Sequence, residues 1–167
     1  MSDVQDQMTK ETVDPRALRN ALGQFATGVV VVTTIASDGS PVGVTMSSFN
    51  SVSLDPPLVL FSVDRRAYSL PIMRAAKGFA INVLGTDQQA ISDGFARAGA
   101  DKWKDIAHAA GIHGAPVLTG ALASFECVPY ARHDGGDHEL FLVRVVRFTV
   151  HAGKPLLFFG GRYRSLA

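Results

Sequence analysis

Short runs of β-branched residues punctuated by turn signals limit the folds open to this chain more than any other feature. Gly28-Val-Val-Val-Val-Thr-Thr-Ile-Ala36 is dense in side chains that suit a pleated surface, and Ser37-Asp-Gly-Ser40 is a turn signal ahead of the next run, 42–48. Together they predict a hairpin. Beyond Pro56-Pro57, Leu58-Val-Leu-Phe-Ser-Val63 and Phe79-Ala-Ile-Asn-Val-Leu84 read as further strands. The last third adds 121–131, 138–151 and 156–159, with His133-Asp-Gly-Gly-Asp137 as a turn.

Helical signals are fewer. Asp14 and Pro15 open a helix reaching Phe25, with Leu18, Leu22 and Phe25 at helical spacing. Ser69 and Gly78 bracket a second, within 68–77. Thr86 or Asp87 caps a third over 86–97, whose Ala90, Ile91, Gly94 and Phe95 lie near one face. The fold class is therefore mainly β with inserted helices, a closed or partly open barrel rather than a doubly wound sheet. No Gly-x-Gly-x-x-Gly opens a helix after a strand, so a Rossmann dinucleotide site has no support.

At 167 residues and 47% hydrophobic content the chain suits one core, expected over 15–167, with the polar residues 1–14 as a flexible arm. A net charge of +1, with both signs interspersed, gives no footprint for nucleic acid or an anionic membrane. No apolar run approaches the roughly 18 to 20 residues that cross a bilayer. The lone Cys127 cannot form an intramolecular disulfide, and Met1-Ser-Asp-Val-Gln-Asp-Gln7 lacks the regions of a signal peptide. A cytoplasmic location is the expectation.

The run Gly43-Val-Thr-Met-Ser-Ser-Phe-Asn-Ser-Val-Ser-Leu-Asp-Pro-Pro57 is the strongest functional signal. It gathers Thr45, Ser47, Ser48, Asn50, Ser51 and Ser53 at a strand end, where unsatisfied polar groups are expensive to bury. Val42, Val44 and Met46 alternate with Gly43, Thr45 and Ser47, which predicts hydroxyls on one strand face. The competing reading is an ordinary solvated loop. A metal reading of His133, Asp137 and His138 is weak, since their spacing matches no compact ligand motif. His108 and His113 read as surface residues, and Cys127 as a buried small hydrophobe.

Several segments in order carry a resemblance: 22–34, 43–57, 79–84, Asp101-Lys-Trp103, Glu126-Cys127, Asp134-Gly-Gly-Asp-His138 and 155–163. The chain resembles the flavin reductase family, whose members adopt a split β-barrel of the Greek-key, FMN-binding type. Such proteins often serve as the small reductase of two-component flavin monooxygenases. The resemblance implies that Thr45, Met46, Ser47, Ser48, Phe49, Asn50 and Ser53 line FMN or FAD, hydroxyls toward the ring edge and Met46 and Phe49 toward the ring faces. It puts the phosphate near Ala67, Tyr68 and Ser69, with Arg65 and Arg66 as added charge. Trp103 is implied to lie near the flavin, or else anchors a helix end.

Gly136, Asp137 and His138 are implied to bind the nicotinamide of NADH or NADPH. His138 then acts as the catalytic-site positioner, because the flavin and nicotinamide carry the hydride chemistry themselves. The function this implies is an NAD(P)H-dependent flavin reductase, acting as a homodimer and supplying a separate oxygenase. A flavin-binding carrier or sensor that uses no nicotinamide is the alternative, and a pyridoxamine phosphate oxidase-like enzyme is a weaker one. Arg162, Tyr163 and Arg164 either close the site or lie at a dimer interface.

Overall fold

A computed structural model describes residues 12–99 and 101–167; most of the expected N-terminal arm, residues 1–11, lies outside the described residues. Helix α1 spans Pro15–Leu22, and the Asp14 carboxylate accepts the Arg16 and Ala17 N–H groups at 2.7 and 3.2 Å, as its N-cap position demands. The helix is shorter than expected, and no residue of it is buried. Leu18, Leu22 and Phe25 stay exposed at 46%, 64% and 77%.

Among the described residues the main sheet has seven strands, in the order β3-β2-β6-β9-β10-β5-β4, every neighbour antiparallel. These strands are β2 (Val30–Ile35), β3 (Pro41–Met46), β4 (Asn50–Leu54), β5 (Pro57–Asp64), β6 (Phe79–Val83), β9 (Ala123–Gly135) and β10 (His138–Val150). Two small sheets flank it. One joins β1 (Thr27–Gly28), β11 (Leu157–Phe159) and β12 (Arg162–Arg164); the other pairs β7 (His108–Ala110) with β8 (Pro116–Leu118). The sheet is not closed, since among the described residues β3 and β4 pair on one side only.

Its edges are nevertheless close. Only residues 47–49 separate β3 from β4, so Met46 and Asn50 stand at most about 14 Å apart. Seven flat strands would put those edges about 29 Å apart. The sheet must therefore curl until its edges face each other across a gap that the 47–49 link spans, and that is a split barrel rather than a closed one.

Inside the curl, Phe61, Phe79 and Phe141 form a ring cluster, with centroids 5.2 to 6.2 Å apart, among Val30, Val32, Val59, Met73 and Cys127. Burying one such side chain contributes about 1.5–3 kcal/mol. Burial also pushes the Cys127 thiol up to about 12, which makes it an inert core residue. The alternate residues Val29 and Val31 face outward, against Leu84, Phe95, Leu118 and Leu156. Strand β2 is thus covered on both faces, and five of its six residues are buried.

Several local expectations change. Strand β3 stops at Met46, so the hydroxyl run does not lie on one strand face but crosses a bend into β4. Helix α2 (Leu70–Ala75) has Ser69 at its N-cap without a side-chain bond, because Ser69 is already αR. The third helix opens as a 3-10 turn, Thr86–Gln88, and continues as α3, Gln89–Ala96. Its start is tied by Gln88, whose Oε1 accepts the Gly85 N–H at 3.0 Å, and Ser92 rather than Ala90 is buried with Phe95. The late turn is only Gly136-Asp137, since His133 and Asp134 belong to β9. Strands β7, β8 and β12 carry too little periodicity to read in advance.

Candidate functional site

The hydroxyl run occupies the gap in the barrel. Ser47, Asn50 and Ser51 are exposed, Ser48, Phe49 and Ser53 half-buried, and the outer edge of β4 has no strand partner among the described residues. Backbone donors and acceptors are thus open there beside side-chain hydroxyls and amide. Two hydroxyls are partly spent on the fold. Thr45 Oγ1 donates to the Ser92 carbonyl at 2.7 Å, and Ser48 Oγ accepts the Ser62 N–H at 3.1 Å. Met46 is 8% exposed inside the core, and Phe49 stacks on Phe125 at 5.7 Å, so both rings and thioether are engaged in packing.

A cleft of about 900 Å³ opens beside this gap, between β3, the β5–α2 link and the segment after α3. Val42, Gly43 and Val44 form its floor; Ala67, Tyr68, Ser69 and Trp103 line its walls. The structure therefore joins Trp103 to the Ala67–Ser69 link, while Thr45, Met46, Ser47, Ser48, Phe49, Asn50 and Ser53 lie outside the cleft lining. Trp103 stands edge-on to Phe95 at 4.8 Å and to His108 at 5.0 Å, so it anchors the helix end and lines the cleft at once. Tyr68 projects at 92% exposure.

The Gly136-Asp137-His138 turn meets this cleft at Asp64. His138 pairs with Asp64 across β10 and β5, and Asp64 lines the cleft. His138 is half-exposed, its Nδ1 2.7 Å from Asp137 Oδ1. A carboxylate accepts only, so the proton of a neutral ring sits on Nδ1 and Nε2 carries a lone pair. The Arg66 guanidinium, donating to Asp64 at 3.1 and 2.9 Å, holds that carboxyl well below the usual carboxylate range.

Residues 22–167 match the model of the flavin reductase like domain. The chain belongs to this flavin reductase-like family. It is 45% identical over 148 residues to FMN reductase (NADH) SmoA of Agrobacterium fabrum, covering 89% of this chain and 84% of that one. It is 40% identical over 157 residues to the reductase subunit HsaB of a flavin-dependent monooxygenase from Rhodococcus jostii, covering 93% and 80%. The NADH:FAD oxidoreductase SgcE6 of Streptomyces globisporus, solved in complex with NAD and FAD fragments, superposes with a TM-score of 0.87 at 40% identity, covering 94% and 97%.

For a flavin reductase-like protein the donor set is chemically apt. A flavin needs partners for a carbonyl and imide edge, apolar cover for a flat ring and a polar anchor for its phosphate. The open hydroxyls and free β4 edge offer the first, Val42, Val44 and Trp103 the second, and Ser69 with Arg66 the third.

Three side chains take roles that the sequence did not assign to them. Phe95 supports Trp103 from beneath. Tyr163 Oη lies 2.7 Å from Ser92 Oγ, which ties β12 to α3 under the cleft and assigns the C-terminal tyrosine to packing. Arg65 turns away from the cleft that Arg66 lines and reaches the Gly136-Asp137 turn. The alternation of successive side chains at a strand end was the available signal for that separation.

Proposed function

We propose that this chain is an NAD(P)H-dependent flavin reductase that moves a hydride from the nicotinamide to FMN or FAD and supplies reduced flavin to a separate oxygenase. The observation that carries this reading is the meeting at Asp64 of the cleft with the Gly136-Asp137-His138 turn. The names of the relatives, an NADH-dependent FMN reductase and a monooxygenase reductase subunit, point the same way.

When bound, the flavin supplies the hydride-accepting ring; the protein supplies orientation and a water-poor contact. Ser47, Asn50, Ser51 and the β4 edge would hold the polar ring edge, Trp103 and Val44 would cover the ring, and Ser69 with Arg66 would hold the phosphate. Asp137 fixes the His138 ring, and the lone pair on Nε2 accepts from the nicotinamide carboxamide. His138 transfers no proton in this scheme.

The protein works as a two-fold dimer in this reading. Leu18, Leu22 and Phe25 on and after α1, with Val146, Phe148 and Val150 on β10, form exposed apolar surface that a second copy would cover. A free, buried Cys127 suits a cytoplasmic location. The decisive assay mixes purified protein with NADH and FMN or FAD and follows loss of the nicotinamide absorbance. Oxidation no faster than with flavin alone, for NADH and NADPH both, would sink the reading; a tightly held yellow cofactor reduced only by a protein partner would replace it with a carrier.

A further inference from the structure

We propose that Arg65 is a positioning residue for the reduced nicotinamide substrate: from the end of β5 it locks the Gly136-Asp137 turn that aims His138. The proposal rests on the reading of that turn as the nicotinamide contact. Arg65 approaches the turn from both sides of its chemistry. Its backbone N–H donates to the Asp137 carbonyl at 2.9 Å, and its side-chain Nε donates to the Gly136 carbonyl at 2.8 Å. Nη2 donates to Asp134 Oδ1 at 2.6 Å, on the strand that enters the turn.

The third nitrogen, Nη1, lies 3.6 Å from Glu139 Oε2, on the strand that leaves it. One guanidinium therefore spans β9, the turn and β10. Glu139 is itself fixed. It is 7% exposed, and its carboxylate accepts from Arg74 Nη2 at 2.6 Å and Arg132 Nη1 at 3.1 Å. The Arg74 guanidinium, with Arg132 and Arg65 behind it, holds this carboxyl below the usual range and so keeps the anion that orients Arg65.

Such a lock answers a weakness of the hairpin. Gly136 and Asp137 are exposed at the tip of two long strands, and Gly136 sits at φ +75°, so packing alone gives the tip little rigidity. The planar fork donates to the Gly136 carbonyl and the Asp134 carboxylate at once in one fixed geometry; a lysine ammonium supplies the charge without that geometry. Arg66, one residue on, turns its guanidinium to Asp64 at the cleft rather than to the turn.

The test compares Arg65→Ala, Arg65→Lys, His138→Ala and the Arg65→Ala/His138→Ala double variant, using NADH and FMN in steady state, flavin fluorescence titration, and amide hydrogen exchange at Asp137 and His138. Both Arg65 variants are expected to raise the NADH KM or lower kcat about threefold to tenfold, with faster exchange at the turn and flavin Kd within about twofold of wild type. The double variant is expected to be no worse than His138→Ala alone. Full activity in Arg65→Lys would overturn positioning in favour of plain charge attraction, and so would unchanged exchange or independent, multiplying effects in the double variant. An unimpaired His138→Ala enzyme would instead overturn the reading of the turn as the nicotinamide contact, and Arg65 would lose its role with it.

Discussion

Gly43 lies so close to Phe95 that an ideal Cβ on it would stand 2.8 Å from Phe95 Cε1, and 3.2 Å from Trp103 Cζ2. The glycine lets β3 approach α3 and the Trp103 segment closely enough to form one cleft floor. Phe95 is fully buried, and a Cβ 2.8 and 2.9 Å from two atoms of its ring would force it to shift. Gly43→Ala should therefore cost about 1–3 kcal/mol and displace Trp103. Thermal unfolding and the emission of the sole tryptophan report the two effects; unchanged values for both would contradict this packing.

Thr27 carries a buried hydroxyl with no hydrogen-bond partner among the described residues. Removing an unsatisfied polar atom while keeping the shape lifts a desolvation cost of about 1 kcal/mol. Thr27→Val is thus expected to leave the melting temperature unchanged or raise it. A clear fall would mean that the hydroxyl finds a partner in solution, such as a second protomer or an ordered water.

Acid should loosen the flap formed by β7 and β8. Glu126, 6% exposed, accepts the Ile112 N–H at 2.7 Å and both arms of Arg147, and the Arg147 guanidinium holds its carboxyl below the ordinary value of 4.5. A carboxyl depressed in the fold adds stability that is complete above its unfolded value and disappears as pH falls through the lower folded value. Melting temperatures of wild type and Glu126→Gln should differ at neutral pH and draw together as pH falls below 4.5 through the lower folded value. A constant gap across that range would rule out the ion pair as its source.

Ser48 and His138 should separate the two ligands. Ser48→Ala strips the Ser62 N–H of its acceptor at the barrel gap, so flavin affinity is expected to fall about threefold to tenfold with the NADH KM nearly unchanged. His138→Ala should do the reverse. Flavin fluorescence titration beside NADH kinetics decides; loss of flavin binding in His138→Ala with an intact NADH constant would invert the assignment.

Elements whose signals are local could be read from the amino-acid order. The β-branched density of β2, the Asp14 cap with Pro15, and the apolar runs of β5 and β6 each specify their own backbone, and their number made the chain mainly β. The ordered hydroxyl run and Gly-Asp-His segment also marked the family. What tertiary structure alone decided is where those segments meet. Residues 47–49 look like a continuing strand until the sheet curls, because only closure of β3 toward β4 forces the bend that interrupts the alternation. Arg65 and Arg66 are chemically identical in the sequence, yet the strand end sends one to Gly136 and the other to Asp64. Phe95, Ser92 and Tyr163 enter the site through contacts between distant parts of the chain, for which no local pattern exists. Propensity and capping act over a few neighbouring residues, whereas a site assembled across a barrel gap depends on long-range pairing that single-sequence periodicity does not encode.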